Sequence, residues 1–163
     1  SGSIYLLGEI TSNDHTKKTA LLTLESVALT NLFTTGLKEI VGRARPRQSE
    51  QVTGDSEATL FDSFSGWHSF PSLHTSQAFS VATVMAMQYR DVVWVPYIAY
   101  GIAALTGYAR LQGEQHWLED VLCGALHGHL VTKTVVSNHE NQKLLLLPMM
   151  RKDAAGLQFS MRF

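Results

Sequence analysis

The chain has 163 residues, of which 45% are apolar and 17% are charged, and its formal net charge is −1. The length suffices for one domain with a hydrophobic core, and the near-neutral charge excludes bulk attraction to nucleic acid, so an anion would need a local cluster of cations. A lone cysteine, Cys123, excludes an intramolecular disulfide and zinc-type cysteine spacing, and its apolar neighbours predict a small buried side chain.

The first predicted helix runs from Thr19 to about Val41, because its apolar residues recur at helical spacing. It should end near Arg45, since Pro46 disfavours helix at the residue before it. In the segment KEIVGRARP, Lys38 and Arg45 are seven residues apart, about two helical turns, so both side chains can point at one place. A guanidinium fork and an ammonium point charge both suit phosphate. Taken alone, however, the segment is more typical of a solvated basic helix end.

A long polar loop is predicted over residues 47–70, which are rich in Ser, Gly, Asp, Glu and Gln and also carry four aromatic residues. Arg43 and Arg47, at its start, add positive potential beside the first motif. Loops of this length in compact domains often serve as lids or binding loops. We therefore expect residues 47–70 to border the functional site.

The second predicted helix begins at Pro71 and ends near Tyr89. The segment FPSLHTSQAF places Ser72, Leu73 and His74 at its N-terminus, where backbone N–H groups bind anions. The Ser72 hydroxyl can donate to a phosphate oxygen, and His74 can lend a proton near neutral pH. In isolation, a serine and a histidine at a helix start are more often structural.

Two further helices are predicted, from about Val93 to Tyr108 and from about His116 to Val136, joined by a turn around residues 111–115. The uncharged stretch at residues 92–109 is just long enough to span a membrane. The mean hydropathy of the whole chain is near zero. We therefore favour a soluble or peripheral helical domain, with a membrane-embedded form as the alternative.

The segment ARLQGEQHWLEDVLCG carries a third group of residues that could do chemistry. His116 and Asp120 are four residues apart, on one face of the predicted helix, and Arg110 lies six residues before His116. An aspartate that binds one ring nitrogen fixes the tautomer and leaves the other nitrogen free to attack. A surface His–Asp pair is the ordinary interpretation of this spacing alone. His127 and His129, two apart, would face different ways, so we expect no shared metal.

The C-terminal tail, residues 139–163, changes character. Apolar residues alternate with polar ones from Leu157 to Phe163, which is the periodicity of a strand. We expect an edge strand or a docking tail.

Together, the three motifs resemble the signature of the phosphatidic acid phosphatase type 2 superfamily, in the same order and with similar spacings. Three spaced motifs are far more specific than any one of them. The resemblance covers Lys38 to about Gly124. The family includes lipid phosphate phosphatases, bacterial acid phosphatases and vanadium-dependent haloperoxidases.

The resemblance implies a role for each matching residue. His116 would attack phosphorus and form a phosphohistidine, Asp120 would orient His116, and His74 would protonate the leaving oxygen and then activate water. It implies neither a metal nor a cofactor. The phosphate oxygens would be bound by the side chains of Lys38, Arg45, Ser72 and Arg110 and by the backbone N–H of Leu73.

Two positions depart from the family pattern. The family usually has glycine where this chain has Leu73, which adds a bulky side chain beside the pocket but keeps the backbone N–H. It often has serine where this chain has Ala109, which removes one hydroxyl. Neither change touches a residue that transfers a proton or a phosphoryl group, so we expect activity.

The resemblance implies an all-α helical bundle, to which we add a short C-terminal strand. We expect one phosphatase domain over residues 1–163, with a motif core at 38–124. The expected function is hydrolysis of a phosphomonoester or diphosphate, with a phosphorylated lipid as the favoured substrate and a small phosphomonoester as the other. We expect the protein in the periplasm or at a membrane surface, with the site on the extracytoplasmic side. A vanadate-dependent haloperoxidase and an inactive phosphate- or lipid-binding module are the alternatives.

Overall fold

The structure, a computed structural model, describes residues 14–48, 63–64 and 66–140, and the backbone of residues 145–151 and 154–160. Four helices form a bundle and a two-stranded hairpin follows it. The elements are α1 (Asp14–Val41), α2 (Leu73–Gln88), α3 (Trp94–Gln112), α4 (Leu118–Glu140), β1 (Leu145–Arg151) and β2 (Ala154–Ser160). The predicted helical bundle is confirmed, and each of the four predicted helices is present.

The first helix ends earlier than its proline suggested. Gly42 has a φ of 55°, and its N–H donates to the carbonyl of Lys38 at 3.0 Å, which is a glycine C-cap. Helix α1 therefore ends at Val41, and Arg45 lies in the connecting segment. The predicted alignment of Lys38 and Arg45 along one helix is wrong, because the glycine ends the helix before Pro46 can.

Two other helix starts also differ from the prediction. Ser72 is the N-cap of α2, so Pro71 precedes the helix instead of lying in its first turn. Helix α4 begins at Leu118, so His116 lies in the turn before it and does not share a helix face with Asp120.

Helix α2 lies at the centre of the bundle, where it packs against α1, α3 and α4. Two glycines let α4 approach it closely. A Cβ atom added to Gly128 would lie 2.1 Å from the carbonyl oxygen of Ser76, and one added to Gly124 would lie 2.7 Å from that of Ser72. This contact brings the N-terminus of α2 beside the N-terminus of α4.

The interior of the bundle is lined with small and hydroxyl-bearing residues. Fully or nearly fully buried side chains include Thr19, Thr23, Ser26, Thr30 and Thr34 on α1, Ser76, Ser80 and Thr83 on α2, and Thr132 on α4. Large apolar side chains are instead exposed on the outer faces. They include Leu21, Leu24, Leu32, Trp94, Tyr97, Ile98, Ile102, Leu105, Leu118, Leu122, Leu126 and Leu130. This is the reverse of the usual distribution in water-soluble domains.

Cys123 follows the same inverted distribution. It is exposed on α4, so the prediction of a buried side chain is wrong. An apolar sequence neighbourhood did not imply burial here, because the outer face of this helix is itself apolar. Among the described residues, one stretch, Asp14–Gln48, which contains α1, has the length and composition to cross a membrane, and 33% of its most apolar window is buried.

The hairpin pairs β1 and β2 in antiparallel register, from Leu145 opposite Ser160 to Arg151 opposite Ala154. The predicted C-terminal strand is confirmed over residues 157–160, and β2 begins three residues before the predicted stretch. Residues 161–163 lie outside the described part of the chain. Strand β1 was not predicted. Most of the predicted loop, residues 49–62 and 65, also lies outside the described part of the chain.

Candidate active site

The chemistry-bearing residues meet at one end of the bundle. Because successive helices alternate in direction, the C-terminal ends of α1 and α3 lie at the same end as the N-terminal starts of α2 and α4. Lys38 comes from α1, His74 from α2 and Arg110 from α3. His116 precedes α4, and Asp120 lies in its first turn.

His116 is oriented by a backbone carbonyl. Its ring is 5% exposed, and Nδ1 lies 2.8 Å from the carbonyl oxygen of Ser69. A carbonyl oxygen only accepts hydrogen bonds, so Nδ1 carries the hydrogen in the neutral ring. Nε2 then keeps its lone pair and is the nitrogen available as a nucleophile.

Asp120 is close to His116 but bonds elsewhere. Its Oδ2 lies 3.6 Å from Nδ1, too far for a hydrogen bond, and accepts from the Ser69 hydroxyl at 2.5 Å and the Trp117 N–H at 2.9 Å. The other oxygen, Oδ1, accepts from Arg43 at 2.9 Å. His116 Nδ1 therefore donates to the Ser69 carbonyl oxygen and does not make the direct hydrogen bond to Asp120 that the sequence had suggested.

Asp120 has no exposed surface, and burial by itself raises the pKa of its carboxyl group. The His116 ring, the hydrogen bonds from Ser69 and Trp117, and the charge of Arg43 together outweigh burial and lower this pKa. Asp120 is therefore ionised at neutral pH and places a negative charge behind His116.

Lys38 is held beneath the site by the segment before α2. Its Nζ donates to the carbonyl oxygens of His68 at 2.6 Å and Ser69 at 3.4 Å. Burial and, secondarily, the charge of Arg45 lower the pKa of Lys38 to about 8, with Asp120 acting in the opposite direction. Lys38 is thus charged at neutral pH but near its titration range.

Two arginines complete the cationic cluster. Arg45 NH1 donates to the Gln115 side-chain oxygen at 2.7 Å. Burial, followed by the charges of Arg47 and Arg110, lowers the pKa of Arg45, which reflects the crowding of like charges. Arg110 Nε is buried and has no hydrogen-bond partner among the described residues, so this donor is available to an anion.

His74 is the exposed histidine of the site. Its pKa is lowered by burial first and then by four surrounding groups, Arg110, His116, Arg45 and Lys38. It is therefore neutral at neutral pH in the free site. An anionic substrate would offset these charges and favour its protonation.

Ser72 is placed differently from its predicted role. Its side chain is fully buried, and its hydroxyl lies 2.9 Å from that of Thr75 in the bundle interior. Its N–H donates to the carbonyl oxygen of Asp120 at 2.9 Å. The neighbouring Leu73 is half-buried and is the first residue of α2. Its backbone N–H therefore lies at the helix N-terminus, the position from which it is predicted to bind phosphate.

Sequence reasoning missed two residues that organise the site. Ser69 receives bonds from Lys38 and His116 on its carbonyl and donates its hydroxyl to Asp120. Gln115 links Arg45 to the turn after α3, because its N–H donates to the Arg110 carbonyl. Ser69 precedes the second motif and Gln115 precedes His116, so adjacency to the motifs was the one available signal.

The rings of His68, His127 and His129 make their contacts outside the cluster. His68 pairs its ring with Glu39 at 2.9 Å. His129 Nδ1 lies 3.0 Å from the Tyr100 hydroxyl and 3.1 Å from that of Thr83, whereas the His127 ring packs edge-on against Phe33. The prediction that His127 and His129 face different ways is confirmed.

Two apolar grooves lie on the sides of the bundle, away from the cationic cluster. A groove of about 330 Å³ runs between α1 and α4, and one of about 660 Å³ runs between α2 and α3. Neither is lined by Lys38, His74 or His116, so the cluster is a site at the end of the bundle, separate from these grooves.

Comparison with known proteins identifies the family and the fold of this chain. The family model described as the PAP2 superfamily matches residues 19–144, which include all four helices except the first turns of α1. A lipid A 1-phosphatase of Porphyromonas gingivalis is 42% identical over 65 residues, 39% of this chain and 15% of that protein. An uncharacterized protein of Methanocaldococcus jannaschii is 32% identical over 66 residues, 40% of this chain and 26% of that protein.

Among solved structures, the crystal structure of Aquifex aeolicus LpxE superposes with a TM-score of 0.56 at 23% identity. The match covers 83% of this chain and 75% of the LpxE chain, and it establishes a shared fold. The stretches matched in the two curated relatives are only small parts of those proteins, 15% and 26% of their lengths.

Proposed function

This chain belongs to the PAP2 superfamily, and from that membership we propose that it is a metal-independent phosphatase that hydrolyses a phosphomonoester or diphosphate carried by a lipid. We propose one phosphatase domain over residues 1–163, in which residues 38–124 supply the chemistry. The lipid A 1-phosphatase of Porphyromonas gingivalis makes a lipid-linked phosphate the first substrate class to test.

The mechanism has two displacements at phosphorus. In the first, His116 Nε2 forms a bond to phosphorus while the bond to the leaving oxygen breaks and His74 gives that oxygen a proton. In the second, His74 takes a proton from water, the water oxygen attacks phosphorus, and the bond to His116 breaks to release inorganic phosphate.

The observation that supports this proposal most directly is the 2.8 Å contact between His116 Nδ1 and the Ser69 carbonyl. It leaves the lone pair on Nε2, and the ionised Asp120 nearby stabilises the positive ring of a phosphohistidine. Lys38, Arg45 and Arg110 would neutralise the charge on the transferring phosphoryl group. The backbone N–H of Leu73 would add a donor. The Ser72 hydroxyl, which contacts Thr75 in the bundle interior, would donate to a phosphate oxygen only after leaving that contact.

Contact with lipid is supported by the outer surface of the bundle. Exposed leucine, isoleucine and aromatic residues cover α3 and α4, whereas small residues form the helix contacts. Apolar surfaces of this extent mark interaction sites, and small residues at helix interfaces are typical of bundles that pack in lipid. We propose a membrane-associated protein with its site on the extracytoplasmic side.

The test is phosphate release in the presence of EDTA from a panel of p-nitrophenyl phosphate, phosphatidic acid, lipid A 1-phosphate and a prenyl diphosphate, with His116→Ala alongside. The proposal expects release that resists EDTA, is inhibited by vanadate and is lost in the variant. Absence of release from every compound by a folded wild-type protein would favour a binding module. Vanadate-dependent halide oxidation would favour a haloperoxidase.

A further inference from the structure

Arg43 lies beside the cationic cluster but contacts a carboxylate instead of the open site. Its NH1 donates to Asp120 Oδ1 at 2.9 Å, and its side chain is 11% exposed while that of Asp120 is fully buried. The Trp117 ring covers the guanidinium, with Cζ 5.3 Å from the ring centroid. On the open side, NH2 lies 3.5 Å from Glu119, a carboxylate that is 65% exposed.

The backbone around Arg43 is hydrogen-bonded to the segment before α2 and to the turn before α4. Its carbonyl oxygen accepts from the Ser69 N–H at 2.9 Å, and the next carbonyl, that of Ala44, accepts from Trp117 Nε1 at 2.9 Å. The Arg43 side chain and backbone thus connect three stretches of chain: the end of α1, the segment before α2, and the turn before α4.

These contacts form a path from Arg43 to the proposed nucleophile. Arg43 binds one oxygen of Asp120, and the other oxygen accepts from the Ser69 hydroxyl at 2.5 Å. Ser69 in turn presents its carbonyl to His116 Nδ1 at 2.8 Å. Asp120 can therefore act on His116 through Ser69, in addition to the negative charge that it places behind the ring.

We propose that Arg43 is a positioning residue for the nucleophile: it holds Asp120 in the orientation that fixes the Ser69 carbonyl, and this carbonyl sets the tautomer and direction of the His116 ring. The proposal rests on the proposed phosphatase function for its kinetic consequence. The effect on the ring tautomer does not depend on turnover.

The kinetic test compares wild type with Arg43→Met, Arg43→Lys and Asp120→Asn, and with the double variant, on p-nitrophenyl phosphate. Loss of a residue that orients a reacting group costs about 10- to 100-fold in activity, so Arg43→Met should lower kcat by that factor and leave KM nearly unchanged. Arg43→Lys, which keeps a charge and a donor, should recover part of the loss. Adding Arg43→Met to Asp120→Asn should cost little more, because both act through one contact.

Arg90→Met is the matched control. Arg90 also binds a carboxylate at 2.9 Å, that of Glu140, but its side chain is 67% exposed and it lies at the opposite end of the bundle. Its loss should leave kcat unchanged. A rise in KM and weaker binding of inorganic phosphate in Arg43→Met, with kcat preserved, would mean that Arg43 binds substrate and would overturn the proposal. So would additive losses in the double variant.

The second test is nitrogen NMR of the His116 ring in the protein without substrate. Wild type and Arg90→Met should show one tautomer, protonated on Nδ1, and Arg43→Met should show a mixture. An unchanged tautomer in a folded Arg43→Met protein would overturn the proposal, even if wild type hydrolysed nothing in the panel. Absence of hydrolysis with the expected tautomer change would instead contradict only the proposed function.

Discussion

At the scale of single residues, the two site histidines differ in their surroundings. His116 is buried and bonded through Nδ1 to Ser69, whereas His74 is exposed and surrounded by positive charge. The first environment suits a nucleophile with one fixed tautomer, and the second suits a group that takes up a proton when an anion arrives. This difference supports our proposal that His74 is the general acid.

The acid role of His74 predicts a dependence on the leaving group. His74→Gln should lower kcat/KM, which reports the first displacement alone, on an alkyl phosphate by about 10²- to 10⁴-fold, the usual contribution of a general acid. The loss on p-nitrophenyl phosphate should be much smaller, because p-nitrophenolate departs without a proton. Steady-state kinetics on both substrates provide the measurement. An equal loss on the two would contradict the assignment.

Lys38 predicts an alkaline limit to activity. Its lowered pKa, about 8, means that it is charged below that pH and neutral above it, so kcat/KM should fall as the pH rises through about 8. Lys38→Arg should move this limb to higher pH, because a guanidinium stays protonated. The pH profiles of both proteins, with unfolding followed over the same range, provide the measurement. If kcat/KM fell at the same pH in both proteins, the alkaline limit would come from a group other than Lys38.

At the scale of elements, the contact between α2 and α4 sets the geometry of the site. Gly128 faces the Ser76 carbonyl so closely that a Cβ would lie 2.1 Å from its oxygen, and backbone cannot move aside cheaply. This contact holds the start of α2, with His74, against the start of α4, with Asp120.

Gly128→Ala should therefore destabilise the protein, and Gly36→Ala is the matched control. No atom lies within 4 Å of a Cβ at Gly36, so that change should be neutral or stabilise by about 0.5–1 kcal/mol, the usual difference between glycine and alanine inside a helix. Denaturant unfolding monitored by circular dichroism distinguishes them. If Gly128→Ala were as stable as Gly36→Ala, the close packing of α2 on α4 would be wrong.

The sequence predicted the four helices but not their ends. Apolar spacing located α1 and α4, because a helix face repeats whether it meets a core or lipid. It could not place His116 before α4 or Arg45 after α1, since a glycine C-cap and a turn decide these positions locally. Three motifs predicted the candidate site residues by type and order. The role of the Ser69 carbonyl could not be predicted, because a backbone acceptor is present at every residue and has no side-chain signature.

At the scale of the whole molecule, the inverted polarity of the bundle is not visible in the mean hydropathy. Buried threonines and serines lower the average, while the leucines they would normally cover lie outside. An average over the chain cannot distinguish this arrangement from a soluble domain. The positions of the apolar residues, and not their number, favour contact with lipid.

The apolar exterior predicts binding to uncharged vesicles. The protein should float with phosphatidylcholine vesicles at high salt, since apolar burial is not screened by ions. Replacing Ile98 and Ile102 by glutamine should weaken this binding without lowering hydrolysis of p-nitrophenyl phosphate. The control replaces the exposed polar residues Asp91 by asparagine and Lys133 by glutamine. Flotation unaffected by the isoleucine changes, or abolished by salt, would contradict the lipid-facing assignment of α3.

The measurement that tests the central claim most directly is the stereochemical course at phosphorus, followed with a phosphorothioate ester made chiral by oxygen isotopes. Two successive in-line displacements, first by His116 and then by water, each invert the configuration and together retain it. The account predicts retention by the wild-type protein and loss of turnover in His116→Ala. Inversion would show that water attacks the substrate directly, and it would contradict a phosphohistidine intermediate.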